Sequence, residues 1–364
     1  MPEAGAAQLT TLSRHTIDQL GRHAGAEPSG GLPALIDAVA TALKAISELV
    51  NRGPLPRTPG TPGEPEATGD PKRRLEMVCN EVMVAETQRG GYLAALGPGG
   101  PGDLHPPPPG ARQSRYLLVI DALEGSGNLD VDVPVGSIFS VLRSPSPDPG
   151  HAATAADFLQ PGTEQVCAGF AVHGPATVLV LTTGSGVDGF TLDRDLGAFL
   201  LTHPRMQIPT ETTELAIGRS DEGSWAAPLR RYVRECAEGA SGPRAKDFEM
   251  RPVTSLAADT YRILLRGGVL LHPAGRKASS EEPCLRLLQD ANPIAFVVEQ
   301  AGGSASSGTR RVMELVPSAL DDRVPLVLGS RDEVERVAAY RRAATARADP
   351  FDSSLFNSRS LLRP

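Results

Sequence analysis

Apolar positions early in the chain follow a helical period. In LPALIDAVATALKAISELV (32–50) they fall at 32, 35, 36, 39, 43, 46 and 50, along one face of a helix. Residues 72–88 give a second, weaker helical pattern. From residue 116 the texture changes. YLLVI (116–120), VGSIFSVL (135–142), QVCAGFAVHG (165–174) and ATVLVLTTG (176–184) are apolar or alternating runs bounded by glycine, proline and asparagine, as strands are. HGPAT (173–177) has the residues of a hairpin turn. Further helices are predicted at LRRYVRECAEG (229–239), at LAADTYRILLRGG (256–268), closed by glycine, and at PIAFVVEQAGG (293–303), opened by proline. VLLHP (269–273) and RVPLVLGS (323–330) read as strands, and Ser330 with Glu333 has the spacing of a capping box for a last helix. Strands and helices alternate, so the pattern predicts an α/β or α+β fold with more than one sheet.

Two stretches break the pattern, GPLPRTPGTPGEPEATGDP (53–71) and GPGGPGDLHPPPPGA (97–111). Proline lacks the backbone donor and glycine lacks restraint, so neither stretch suits a helix or a central strand, and both read as surface loops. Composition narrows the class. The 364 residues carry 36 Lys+Arg against 43 Asp+Glu, a formal net charge of -7, which argues against a nucleic-acid platform or an anionic-membrane binder. No apolar run approaches the ~18–20 residues of a membrane span, and MPEAGAAQLTTLSRH lacks a secretory pattern, so a cytoplasmic location is expected. The four cysteines, Cys79, Cys167, Cys236 and Cys284, are far apart and read as reduced thiols rather than zinc ligands.

The candidate chemistry lies in DALEGSGNLD (121–130), where an apolar strand ends in acids and glycines. On this reading the strand ends at Asp121, and a tight turn carries Glu124 three residues on, so both carboxylates aim at one cation. Mg²⁺ takes one or two protein carboxylates and fills its octahedron with phosphate and water. Gly125, Ser126 and Gly127 would then offer backbone N–H groups to that phosphate. The alternative on spacing alone is a solvated acidic turn.

RYLLVIDALEGSGNLDVDVPVGSIFSVLR (115–143) resembles the signature region of class 1 fructose-1,6-bisphosphatases, whose motif reads Asp-Pro-Leu-Asp-Gly-Ser-Ser-Asn. GPRAKDFEMRP (242–252), LRLLQDANPIAFVVEQAGGSASSG (285–308) and RVPLVLGSRDEVERV (323–337) extend the resemblance to bacterial members, from about residue 8 to about residue 342. It implies the layered α-β-α-β-α sandwich of the sugar phosphatase and inositol monophosphatase-like superfamily. The expected organisation is a larger metal-motif domain over 8–204, a substrate-binding domain over 205–342 and a flexible tail over 343–364.

By that resemblance Asp121, the carbonyl of Leu123, Glu124 and Asp290 stand at metal-ligand positions for Mg²⁺ or Mn²⁺, and Asp70 and Glu76 at water-positioning ones. Glu124 is an aspartate in the family and Asp290 a glutamate, so one arm lengthens and the other shortens. The family's paired metal-binding glutamates match Gly99 and Gly100, which bring no charge, unless a nearby acid such as Asp103 replaces them. Glu124, Gly125, Ser126, Gly127, Asp221, Arg251 and His272 match substrate-contacting positions, Arg251 being supplied across a subunit interface. Departures accumulate there too: a lysine becomes Cys284, a tyrosine Pro252, an asparagine Asp221 and a second tyrosine His272. Arg115, Tyr116 and Arg143 resemble part of an AMP-type regulatory pocket. The implied function is hydrolysis of fructose 1,6-bisphosphate in carbohydrate metabolism (gluconeogenesis or the Calvin cycle) by a homotetramer, with turnover weakened. The alternatives are an inactive paralogue that binds a sugar phosphate or regulates, and a phosphatase for another sugar phosphate.

Overall fold

The computed structural model describes residues 10–21, 31–53, 71–97, 104–107, 114–146, 148, 151–218, 225–273 and 285–346. Three helices come first: α1 (Leu12–Gly21), α2 (Gly31–Asn51) and α3 (Pro71–Arg89). A seven-stranded sheet follows in sequence order, β1 (Ala95–Gly97), β2 (Tyr116–Glu124), β3 (Val135–Arg143), β4 (Gln165–His173), β5 (Thr177–Thr182), β6 (Val187–Asp193) and β7 (Ala198–His203). Only the β1–β2 pairing is parallel. The second half contributes β8 (Glu214–Ile217), β9 (Glu249–Met250), β10 (Val269–His272), β11 (Leu285–Arg286), β12 (Ser304–Ser306), β13 (Arg323–Val324) and β14 (Leu326–Gly329). Five of these form a sheet in the order β12-β14-β10-β8-β9, and β11 pairs with β13 apart from it. The remaining helices are α4 (Ala227–Ala237), α5 (Leu256–Arg266), α6 (Asn292–Gln300) and α7 (Arg331–Ala346).

The period-two geometry of the strands explains why their runs are apolar throughout. Phe139, Cys167, Leu179 and Leu181 point to one face, where Leu35, Ile36, Leu43 and Ile46 of α2 and Met83 of α3 cover them. Ile138, Ala168, Phe170 and Val180 alternate to the other face and meet Ile263 of α5, with Ile294 and Val298 of α6. That middle helical layer also packs on Leu270 and Leu328 of the second sheet. Val269, Leu271 and Val327 face outward under Leu229 and Tyr232 of α4 and Val334 and Val337 of α7. The result is the expected five-layer α-β-α-β-α sandwich. Each fully buried Leu, Ile or Phe in these layers contributes about 1.5–3 kcal/mol.

Two details differ from the sequence reading. Strand β2 does not stop at Asp121 but runs to Glu124, with a register shift between those two residues, because Ala122 and Leu123 are still buried. Helix α7 does start after Ser330, but Glu333 does not close a capping box. Its carboxylate accepts from Arg244 Nη2 at 2.6 Å and from the Tyr232 hydroxyl at 2.7 Å, so the helix begins over a buried ion pair. Ser330 Oγ accepts instead from the Gly268 N–H at 3.2 Å. A buried guanidinium without its partner would cost more than a cap contributes.

Candidate active site at the end of strand β2

Three elements meet where β2 ends. The strand delivers Asp121 and Glu124. Beyond it Gly125 takes a left-handed φ of 74° and opens a short turn of 3₁₀ helix over Ser126–Val131. The second element is the start of α5, capped by Ser255, whose Oγ accepts from the Ala258 N–H at 3.3 Å. The third is a turn of π-helix, Leu287–Ala291, between β11 and α6. π-turns inside helices gather at functional sites, and this one brings Asp290 back over Arg286.

The acids do not converge on a shared point. Asp121 Oδ2 accepts from Arg286 Nη2. The same Nη2 donates to Asp290 Oδ1 at 3.1 Å, Nε donates to Asp290 Oδ2 at 3.2 Å, and the backbone N–H of Arg286 donates to Oδ2 at 2.8 Å. A guanidinium therefore lies between the two aspartates. Glu124 turns the other way, into the first turn of α5. It accepts from Leu256 N–H at 2.8 Å, Ala257 N–H at 3.3 Å and the Ser255 hydroxyl at 2.7 Å. The helix dipole favours a carboxylate there. Asp121 and Glu124 thus do not aim at one point in this structure, because each has its own set of donors.

Electrostatics follow from this packing. Burial pushes the Asp121 carboxyl up to about 6, against the pull of Arg286, and the Asp290 charge pushes the same way. Burial raises Glu124 to about 7, outweighing its three donors. Burial works against the charge on Arg286 too, yet Asp290 and Asp121 hold its guanidinium protonated more firmly than usual.

Glycines around the turn differ in what they do. A Cβ on Gly136, opposite Glu124 in β3, would lie 2.4 Å from Ala257 Cβ and 3.0 Å from the Ala171 carbonyl, so this glycine lets α5 approach the sheet. A Cβ on Gly127 would meet nothing within 4 Å, so packing does not demand glycine there. The turn is tied to the second half of the chain through Asn128, whose Nδ2 donates to Pro134 O at 3.2 Å and Val253 O at 3.5 Å. Next to it Thr254 has φ 66°, uncommon for a β-branched residue and worth about 1–3 kcal/mol of strain. Asp259 holds that conformation, accepting from Val253 N–H at 3.2 Å and Thr254 N–H at 3.1 Å.

The other expected residues fall into three places. Strands β8, β9 and β10 run parallel, so Arg251, just beyond β9, and His272, the last residue of β10, lie at the same C-terminal end of strands in the second sheet. Arg251 is exposed and pairs with Glu249 at 2.5 Å, while His272 sits over Gly218, where a Cβ would be 2.5 Å from its ring. Glu76 is half-buried on α3, one turn after Lys72, which bridges to Asp130 of the 126–131 turn at 2.9 Å. Leu123 is buried in β2, its N–H donating to Asp121 Oδ1 at 3.3 Å. At the opposite end of β2, Tyr116 pairs in register with Arg143, whose guanidinium carbon is 5.9 Å from the ring centroid, and Arg115 precedes them. Asp70, Gly99, Gly100, Asp103, Asp221 and Cys284 lie outside the described residues.

Comparison with known proteins matches this arrangement over most of its length. The model of the fructose-1-6-bisphosphatase N-terminal domain matches residues 10–204, and that of the C-terminal domain matches residues 208–342. The chain belongs to the fructose-1,6-bisphosphatase family. Crystal structures of Leishmania major fructose-1,6-bisphosphatase are similar throughout. The holo form shares 33% identity with a TM-score of 0.80, covering 92% of this chain and 99% of that one. The apo form, at 31% identity and a TM-score of 0.79, and the T-state, at 31% and 0.80, have the same coverage.

Fructose-1,6-bisphosphatases generally use divalent metal ions. The described residues do not fit such an ion. Asp121 and Asp290 are both engaged by Arg286, and Glu124 caps α5. Among the described residues no three His, Cys, Asp or Glu side chains form a metal-binding group. Residues the sequence reading did not single out, Arg286, Asn128, Ser255 and Thr254, hold the site together. The signal for Arg286 was present in RLLQD, a basic residue four positions before an acid.

Proposed function

We propose that the protein is a hydrolase of the fructose-1,6-bisphosphatase type, converting fructose 1,6-bisphosphate to fructose 6-phosphate and phosphate, with weakened turnover. Family membership across both domains supports the reaction. The observation that carries the weakening is the guanidinium between Asp121 and Asp290, together with Glu124 turned into α5. In this reading the chain's own residues bind and orient the sugar phosphate. Backbone N–H groups of Gly125, Ser126 and Gly127 offer donors to an anion at the end of β2, as turn nests do. Arg251 and His272 stand at the carboxyl ends of their strands, where ligands of open α/β sheets bind. Arg251 is exposed just past β9, the strand at the sheet's edge, as an arginine lent to a neighbouring subunit of a homotetramer would be. Arg115, Tyr116 and Arg143 are the residues of a possible AMP-type pocket. No described helix is long and apolar enough to cross a membrane, which suits a cytoplasmic enzyme of carbohydrate metabolism.

A second reading is favoured by the same guanidinium: a non-catalytic relative that binds a sugar phosphate. Losing one charge-stabilising group costs about 10²–10³ in rate, and this site departs from its family at more than one. Phosphate release from fructose 1,6-bisphosphate by the purified protein, in Mg²⁺, in Mn²⁺ and in EDTA, tests both. Slow release above the protein-free control is expected, increased in a Gly99→Glu, Gly100→Glu double variant. No release with saturable binding of the bisphosphate would leave the second reading. Neither release nor binding would contradict both.

A further inference from the structure

We propose that Arg286 is the resident cation of this site, occupying the place between Asp121 and Asp290 that a divalent ion would need, and that the native protein does not bind a divalent ion at this pair. The inference stands apart from turnover, since it concerns what occupies the pair and not what the site does to a substrate.

Four observations support it. The guanidinium is fixed by the backbone as well as by its charge. Its residue lies in β11, where Leu285 pairs with Val324 and Arg286 with Arg323, and the next N–H, of Leu287, donates to Asp322 O at 2.7 Å. The partner acid is brought to it by the π-turn, closed by the Asn292 N–H on Leu287 O, and Gln289 Nε2 fastens that turn to β2 by donating to Ile120 O at 3.2 Å. The contacts are also numerous: Asp290 alone accepts from Nη2, Nε and the backbone N–H of one residue. An ion entering the pair would have to displace all of these and strand a charged side chain that is only 26% exposed. The third acid of the motif cannot compensate, because Glu124 is held by three donors from the start of α5. Finally, charge is nearly balanced without a metal: two carboxylates face one guanidinium, which leaves one negative charge rather than two. Mg²⁺ and Mn²⁺ favour oxygen ligands in near-octahedral array and bind weakly where few free carboxylates are offered.

Mn²⁺ binding followed by electron paramagnetic resonance tests this directly, because the free hexaaqua ion and the bound ion differ in signal and no turnover is needed. The full-length protein and three variants, Asp121→Asn, Arg286→Met and Arg286→Met with Asp121→Asn, are titrated at millimolar Mn²⁺. The expected result is that the unmodified protein shows no binding that Asp121→Asn removes. Arg286→Met should gain such binding, tighter by about tenfold or more as a like charge leaves hydrogen-bond distance. Asp121→Asn in that background should abolish the gain. Saturable Mn²⁺ binding by the unmodified protein that Asp121→Asn removes would overturn the proposal. So would an Arg286→Met variant that binds no better than the unmodified chain, since the guanidinium would not then be what keeps the ion out. Should Arg286→Met fail to fold, thermal unfolding of the unmodified protein with Mn²⁺ and with EDTA decides, as an ion that binds the native state raises the midpoint. An unchanged midpoint supports the proposal, and a rise that Asp121→Asn removes contradicts it.

Discussion

Two of the arginines that this protein encloses with carboxylates differ in instructive ways. Arg244 sits under the outer helices, 4% exposed, with one acid, Glu333, 3% exposed. Its guanidinium carbon is 5.4 Å from the centroid of Tyr232 and 4.8 Å from that of Phe248, and its Nη1 donates to Cys236 Sγ at 3.4 Å. The charges match one to one, and the Tyr232 hydroxyl satisfies the second oxygen of Glu333. Arg286 is 26% exposed and faces two acids, Asp121 and Asp290 at 16% and 8%. The first constellation is a closed fastening between α4 and α7. The second has two acids to one guanidinium, partial access to water and a location at the end of a strand, where ligands of α/β folds bind. A buried ion pair is by itself weak support for stability or for function; stoichiometry and access separate these two.

The largest expected effect breaks the sealed pair. Arg244→Met should cost about 3–5 kcal/mol in urea unfolding, because Glu333 is left buried and uncompensated. Arg286→Met should cost about 1–2 kcal/mol, since the cluster is partly open to water and one of its two aspartates can take up a proton. Equal losses would mean that the two clusters are alike and that the contrast drawn here is wrong.

Next in size is Gly136→Ala. Its Cβ would lie 2.4 Å from Ala257, so α5 must withdraw from β3 and from Glu124. A loss of about 1–3 kcal/mol is expected, as for overpacked cores. Unchanged stability would show that the approach of α5 is not tight.

A pH series then isolates Glu124. Its carboxyl titrates at about 7 in the fold and at 4.5 unperturbed, so the folded state binds the extra proton between those values. Stability from this group is fully present below pH 4.5 and is lost as pH rises through about 7, by an amount on the order of 3 kcal/mol. The difference between the unmodified protein and Glu124→Gln should therefore change across that window and level off above it. A flat difference would show that the three donors outweigh burial and hold Glu124 ionised.

The smallest effect is Gly127→Ser. Nothing lies within 4 Å of the added carbon, so stability should stay within about 0.5 kcal/mol. A larger loss would show that this glycine is required by something outside the described neighbourhood.

The scaffold was legible where burial is two-sided or strictly one-faced. β3, β4 and β5 are apolar throughout because helices cover both sides of their sheet, and α2 shows its period because only one face is buried. VDGFTLD of β6 and AFLLTH of β7 mix polar and apolar residues, as they approach the half-exposed end of the sheet, and they were not recognised. Two-residue strands such as β9 and β11 exist only through their partners. At the site, the strand-end acids and the family's motif could be read from the chain. The partners of those acids could not. Arg286 is 165 residues from Asp121, and Ser255 is 131 residues from Glu124, so only the packing of α5 and the π-turn against β2 joins them. Counting acids as metal ligands also hid the arginine four residues before Asp290, whose charge decides what those acids can hold.

The central claim is that Arg286, and not a metal ion, lies between Asp121 and Asp290 in the native protein. Anomalous scattering from a crystal of the unmodified protein grown in millimolar Mn²⁺ tests it most directly. Continuous guanidinium density between the two carboxylates, with no anomalous peak there, is expected. A manganese peak bonded to Asp121 and Asp290, with Arg286 swung aside, would contradict it.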